Sequence, residues 1–196
     1  MRKPNINHTG KIMAITLLTM ITTISPLKAK TPRQMLESLP VELHVNNVVA
    51  VDSVSPTTMS WKAAEGTTIE IAALPSSSAN KADSLFCVLT TCNTPEPETT
   101  CAIYDTNWQK VKSLPLDIYS DALIAKPDSI SEKDFRQIKR RVEMPLVEAH
   151  FSRTQPSTIV LRLHVPLLDK EDKKRVESIL TTKEAIVNNT RISIVD

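Results

Sequence analysis

Glycine is almost missing from this 196-residue chain: only Gly10 and Gly66 occur. Phosphate-cradling loops need glycines at several fixed positions, so P-loop and dinucleotide-binding chemistry is excluded, and no cofactor is expected. Aromatic residues make up 4% of the chain, too few to furnish both a core and a stacking platform for sugars. Charge of one sign is lacking as well. The net charge of +2 comes from interleaved acids and bases, which gives no long-range field for a polyanion, and no nucleic-acid partner is expected. There is no Ser-His-Asp order with a nucleophile elbow, no HExxH and no paired CxxC, so no catalytic residue is assigned.

What is present begins with an address. Arg2, Lys3 and Lys11 precede an uncharged apolar run over residues 12–24, followed by Ser25-Pro26 and Leu27-Lys28-Ala29. That is the layout of a secretory signal peptide. The run is shorter than the roughly 20 residues a helix needs to cross a bilayer, so no membrane span is expected after cleavage at Ala29. Residues 1–29 are read as signal and residues 30–196 as a single domain, large enough to bury its own core. The expected location is extracytoplasmic: periplasmic, or secreted and surface-associated.

Thirteen prolines supply turns that glycine does not. Thr31-Pro32 opens a short helical pattern that stops at Pro40, and residues 45–54 read as an extended arm or loop. Strands are expected over 57–62 and 67–74, joined through Glu65-Gly66, with Thr67, Ile69, Ile71 and Ala73 on one face. A second hairpin is expected from 85–92 and 101–105, and residues 119–125 suggest a docked turn or short strand. Ser131 with Asp134, and Asp169 with Asp172, are helix-start patterns; Phe135, Ile138 and Val142 form the apolar stripe of the first helix, and Val176, Ile179 and Leu180 that of the second. A third hairpin, 146–153 with 158–165, sets Val147, Ala149 and Phe151 inward with Ile159, Leu161 and Leu163; residues 191–195 close as a strand. Hairpins interrupted by helices, without βαβ repeats, predict an α+β fold: a mainly antiparallel sheet with two or three helices packed on one side.

Three cysteines in an exported chain invite pairing. Cys92 and Cys101 flank the loop of the second hairpin; set opposite each other they would form a disulfide, with Leu89 beside Tyr104 and Thr90 beside Ile103, while Cys87 fills the core. On the third hairpin, Glu148 and His150 alternate outward on one strand and Arg162 and His164 on its partner. Any register that keeps the apolar faces inward brings Glu148 beside Arg162 or His164. The plain reading is a solvated sheet face with a cross-strand ion pair; the sharper one is a metal or acid/base site using Glu148, His150 and His164, as in a periplasmic hydrolase. The basic runs Lys139-Arg140-Arg141 and Lys173-Lys174-Arg175 fit solvated helix faces.

The stretches Phe86 to Cys92, Tyr104-Asp105-Thr106-Asn107-Trp108, Lys126 to Asp134 and Leu167 to Lys173 resemble a family of exported Bacteroidales proteins classed as a domain of unknown function, over roughly residues 85 to 185. The resemblance implies export by a Gram-negative anaerobe and supplies no activity. It also implies that Asp52-Ser53-Val54, Asp83-Ser84-Leu85 and Asp128-Ser129-Ile130 match the Asp-Ser-apolar pattern for O-glycosylation of exported proteins in that phylum, making Ser53, Ser84 and Ser129 candidates. The expected function is a non-catalytic interaction module with a protein or glycan partner in the cell envelope. The alternatives are the hydrolase above and a protease inhibitor presenting loop 93–100.

Overall fold

The computed structural model describes residue 34, residues 37–38, 48–54, 57–63, 66–75, 85–155 and 157–195. Residues 1–29, where a signal peptide is expected, Ser84 and most of the first helical pattern lie outside them; Gln34 and Glu37 of that pattern are helical.

Among the described residues ten strands form two antiparallel sheets. The first is a six-stranded meander of β1 (Val48–Val54), β2 (Thr58–Ala63), β3 (Thr67–Ala73), β4 (Phe86–Cys92), β5 (Glu98–Tyr104) and β6 (Lys110–Leu114). The second runs β10-β9-β8-β7, from β7 (Leu146–Phe151), β8 (Thr158–His164), β9 (Lys183–Asn188) and β10 (Arg191–Ile194). Helices α1 (Glu132–Lys139) and α2 (Lys170–Glu177) precede β7 and β9, and a 3-10 helix spans Asp117–Leu123. The α+β class with mainly antiparallel pairing holds. The segment expected as a loose arm includes β1, and two strands absent from the sequence reading, β6 and β9, complete the sheets.

Local chemistry accounts for the ends of these elements. Ser131 caps α1 by accepting from Asp134 N, and Asp169 caps α2 by accepting from Asp172 N at 2.8 Å. Gly66, one of the two glycines of the chain, turns β2 into β3 at φ +73, a left-handed conformation that any side chain would strain. Its carbonyl accepts from the Asn93 backbone N–H at 2.9 Å and from the Asn93 side chain, which pins the β4–β5 loop to that turn. The Asp105 carboxylate accepts from the N–H groups of Asn107 and Gln109, both at 2.8 Å, and closes the β5–β6 hairpin around Trp108.

The first sheet is covered on both faces. On one face Cys87, Leu89, Cys101, Ile103 and Leu114 pack against Val147, Ala149, Ile159, Leu161 and Leu163 of the second sheet, with Leu123 of the 3-10 helix sealing the layer. The other face buries Met59, Trp61, Ile69, Ile71, Phe86 and Val88 beneath Trp108. The Trp108 ring meets Tyr104 edge-on with centroids 5.5 Å apart, and its indole N–H donates to Ser38 at 3.2 Å. The period-two expectation for the third hairpin holds residue by residue: Val147 pairs with Leu163, Ala149 with Leu161 and Phe151 with Ile159.

One expectation fails. The β4–β5 register sets Cys92 opposite Glu98 and Cys101 opposite Leu89, three positions from the alignment that would join Cys92 to Cys101. Cys92 and Cys101 therefore point to opposite faces of the sheet, Cys92 exposed and Cys101 buried, and this register cannot bridge them. The cause is the loop: β5 resumes at Glu98, directly after Pro97, instead of at Cys101.

Candidate functional site

β7 is an edge strand of the second sheet, and its free edge is turned onto the first sheet. Strand pairing leaves every other N–H of β7 pointing away from β8. Two of these find side chains: Ala149 N donates to Thr99 Oγ1 on β5 at 2.9 Å, and Phe151 N to Glu70 Oε2 on β3 at 3.3 Å. Thr99 is itself tied to the Thr91 hydroxyl at 2.8 Å in a buried position. The two sheets are thus stitched by side-chain acceptors on one and main-chain donors on the other.

From Glu70 a line of alternating acids and bases continues outward. His150 Nδ1 lies 3.2 Å from Glu70 Oε2, and His150 Nε2 lies 2.8 Å from Glu148 Oε1. The other Glu148 oxygen meets His164 Nε2 at 2.9 Å. His164 Nδ1 stands 3.7 Å from Glu96 Oε2, whose partner oxygen accepts from Lys173 of α2 at 2.9 Å. The predicted residues Glu148, His150 and His164 do converge. Arg162 stands opposite Glu148 in the register, but it is exposed and the carboxylate oxygens go to the two histidines. Sequence reasoning missed Glu70 and Glu96, which come from β3 and the β4–β5 loop and carry no local signal of their role.

The electrostatics follow from this alternation. Hydrogen bonding to Glu70, against the cost of burial and with help from Glu148, raises the pKa of His150 from 6.5 to about 9. Burial works against the charge of Glu148, yet the hydrogen bonds and charges of His150 and His164 hold its carboxyl below the ordinary 4.5. With a carboxylate at each ring nitrogen, His150 is an imidazolium that donates from both and has no lone pair for a metal or a substrate proton. Among the described residues no three His, Cys, Asp or Glu side chains are placed to hold a metal ion. The recess beside His164 measures about 50 Å³, far below the roughly 300 to 1,000 Å³ of a small-molecule site. The arrangement is suited to locking two sheets together.

A larger cleft of about 630 Å³ lies where β6 stops. β6 ends at Leu114, opposite Cys101, whereas β5 begins three residues earlier, so Glu98, Thr99 and Thr100 run on without a neighbour from β6. Thr100, Ala102, Tyr104, Lys110, Ser113 and Leu116 line the space. The hydrogen bonds between Asn93 and Gly66 set the alternation of the ladder, which turns the main-chain groups of Ser113 outward along an edge that no described strand pairs. No helix among the described residues is long and apolar enough to cross a membrane.

A two-sheet α+β domain with a half-buried salt-linked seam and, among the described residues, an unpaired edge strand is the class of protein this geometry defines. Residues 34–190 match the family described as Protein of unknown function (DUF3256), and the chain belongs to that family. A solved domain of an uncharacterized protein from Porphyromonas gingivalis W83 is similar to it, at 15% identity and a TM-score of 0.57, over 84% of this chain and 93% of that one. That likeness shows a shared fold. No curated protein matches the chain.

Proposed function

We propose that the mature chain is an exported, non-catalytic binding module of the cell envelope whose ligand is an extended segment of another protein, added as a strand to the open edge of β6. The observation that carries this reading is the outward-facing main chain of Ser113 beside a cleft of about 630 Å³. Residues 110 to 113 are all exposed, and the register shift between Ile103 and Tyr104 sets Lys110 on the Tyr104 face of the sheet and Lys112 on the Ile103 face. A positive charge on each face of the edge favours an acidic partner strand and repels a second copy of the same edge. A glycan fits less well, since Tyr104 is the single aromatic ring lining the cleft.

The test uses a partner recovered by cross-linking in cell-envelope extract and titrated against wild type and Ser113→Pro. Proline at an outward-facing edge position is tolerated by the sheet but removes the donor. Binding is expected to weaken about tenfold in Ser113→Pro, the equivalent of one main-chain hydrogen bond, with an unchanged melting temperature. The double charge reversal Lys110→Glu/Lys112→Glu is expected to weaken it further. Equal affinity across all three proteins sinks the reading.

Glycosylation belongs to the same proposal. Ser129 is exposed in the turn that closes with Ile130 N donating to Pro127 O at 3.2 Å, which favours its modification. Ser53 falls within β1. The mature protein purified from its own cells is expected to be heavier than its polypeptide, with the excess lost in Ser129→Ala; a bare mass argues against it.

A further inference from the structure

The cysteines that meet in the fold are not the pair flanking the hairpin loop. Cys87 on β4 and Cys101 on β5 are diagonal neighbours: Cys87 pairs with Ile103 and Leu89 with Cys101, and both thiols project into the layer between the sheets. Their sulfurs lie 3.5 Å apart, and both residues are buried. The right-handed twist of adjacent strands closes one diagonal of such a pair more than the other. A disulfide needs sulfurs at about 2.05 Å, so each has to move by under about 1 Å, within reach of side-chain torsion and a small strand adjustment.

We infer that Cys87 and Cys101 are joined by a cross-strand disulfide in the mature protein, made while β4 and β5 are still open to an oxidant. The oxidant is a protein or small-molecule disulfide. One cysteine, as its thiolate, attacks a sulfur of that oxidant and expels the first of its thiolates, giving a mixed disulfide. The second cysteine, also deprotonated, attacks the mixed disulfide at the protein sulfur and releases the second. Two electrons pass to the oxidant, which leaves as two thiols carrying the protons lost from Cys87 and Cys101. The timing follows from burial. In the completed fold no oxidant reaches the pair, and the Cys101 thiol and desolvation together hold Cys87 well above the ordinary thiol range, so little thiolate forms. Cys92 stays outside the bond: it is exposed on the opposite face, with its thiol directed at the Thr94 carbonyl at 3.6 Å.

The protein exported to a bacterial periplasm is unfolded in iodoacetamide without reductant, digested and weighed. The expected result is one alkylated cysteine, Cys92, and a linked peptide pair containing Cys87 and Cys101, lighter by the hydrogen lost from each thiol. Refolding the reduced chain with glutathione disulfide is expected to make the same bond, and the already folded reduced chain is expected to resist the same treatment. Cys92→Ser is expected to leave the bond intact, whereas Cys101→Ala frees every remaining thiol. Three alkylated cysteines after both export and oxidative refolding, or a bond that includes Cys92, overturns the inference.

Discussion

Glu148→Ala is expected to destabilise the fold by about 2 kcal/mol, the scale of hydrogen bonds made to a charged group, because both histidines lose their shared acceptor. The pH profile is the more specific readout. The pKa of His150 is raised in the folded state, so its contribution is fully present below its ordinary 6.5 and is lost as pH rises through about 9. The pKa of Glu148 is lowered, so its contribution is present above the ordinary 4.5 and is lost as pH falls through its depressed value. Between them these groups place the stability maximum in the window from 4.5 to 6.5. Urea midpoints measured across pH should show an alkaline decline in wild type that is shallower in Glu148→Ala, where only Glu70 still holds His150, and flat in His150→Gln. Parallel profiles for wild type and His150→Gln would show that the seam contributes nothing to folding.

The second large effect belongs to Thr99. Thr99→Val keeps the side-chain shape and removes the oxygen that accepts from the buried Ala149 N–H and bonds to Thr91. A buried donor left without a partner costs about 1 to 3 kcal/mol, and here the donor lies on the strand edge that docks one sheet on the other. Thr99→Ser keeps the acceptor and should lose less. Thr91→Val combined with Thr99→Val should cost less than the separate losses added, since the second change removes a hydroxyl the first has orphaned. The cleanest measurement is hydrogen exchange at Ala149, which should speed up in Thr99→Val and hold in Thr99→Ser. A Thr99→Val protein with wild-type stability and wild-type protection at Ala149 would remove the stitching role from this hydroxyl.

How far the residue pattern carries the fold depends on the distance over which each feature is decided. The β7–β8 hairpin was readable because Val147, Ala149 and Phe151 alternate with polar residues and one short turn sets their register. The starts of α1 and α2 were readable because Ser131 and Asp169 cap N–H groups three positions away. β6 was hidden: Lys110-Val111-Lys112-Ser113-Leu114 has a single buried residue and runs straight into Pro115, so its edge position leaves almost no apolar signature. β9 was hidden for another reason, since Lys183, Glu184 and Ala185 favour helix and only pairing with β8 and β10 makes them a strand.

By itself the sequence determined the antiparallel α+β class, the helix starts and the outward face that gathers Glu148, His150 and His164, because period and capping act within a few residues. Tertiary structure decided which groups meet. Glu70 reaches His150 across 80 positions of chain, and Cys101 comes to face Cys87 instead of Cys92. Both outcomes depend on a loop length and on the docking of one sheet against another, and neither leaves a mark in the spacing of neighbouring residues.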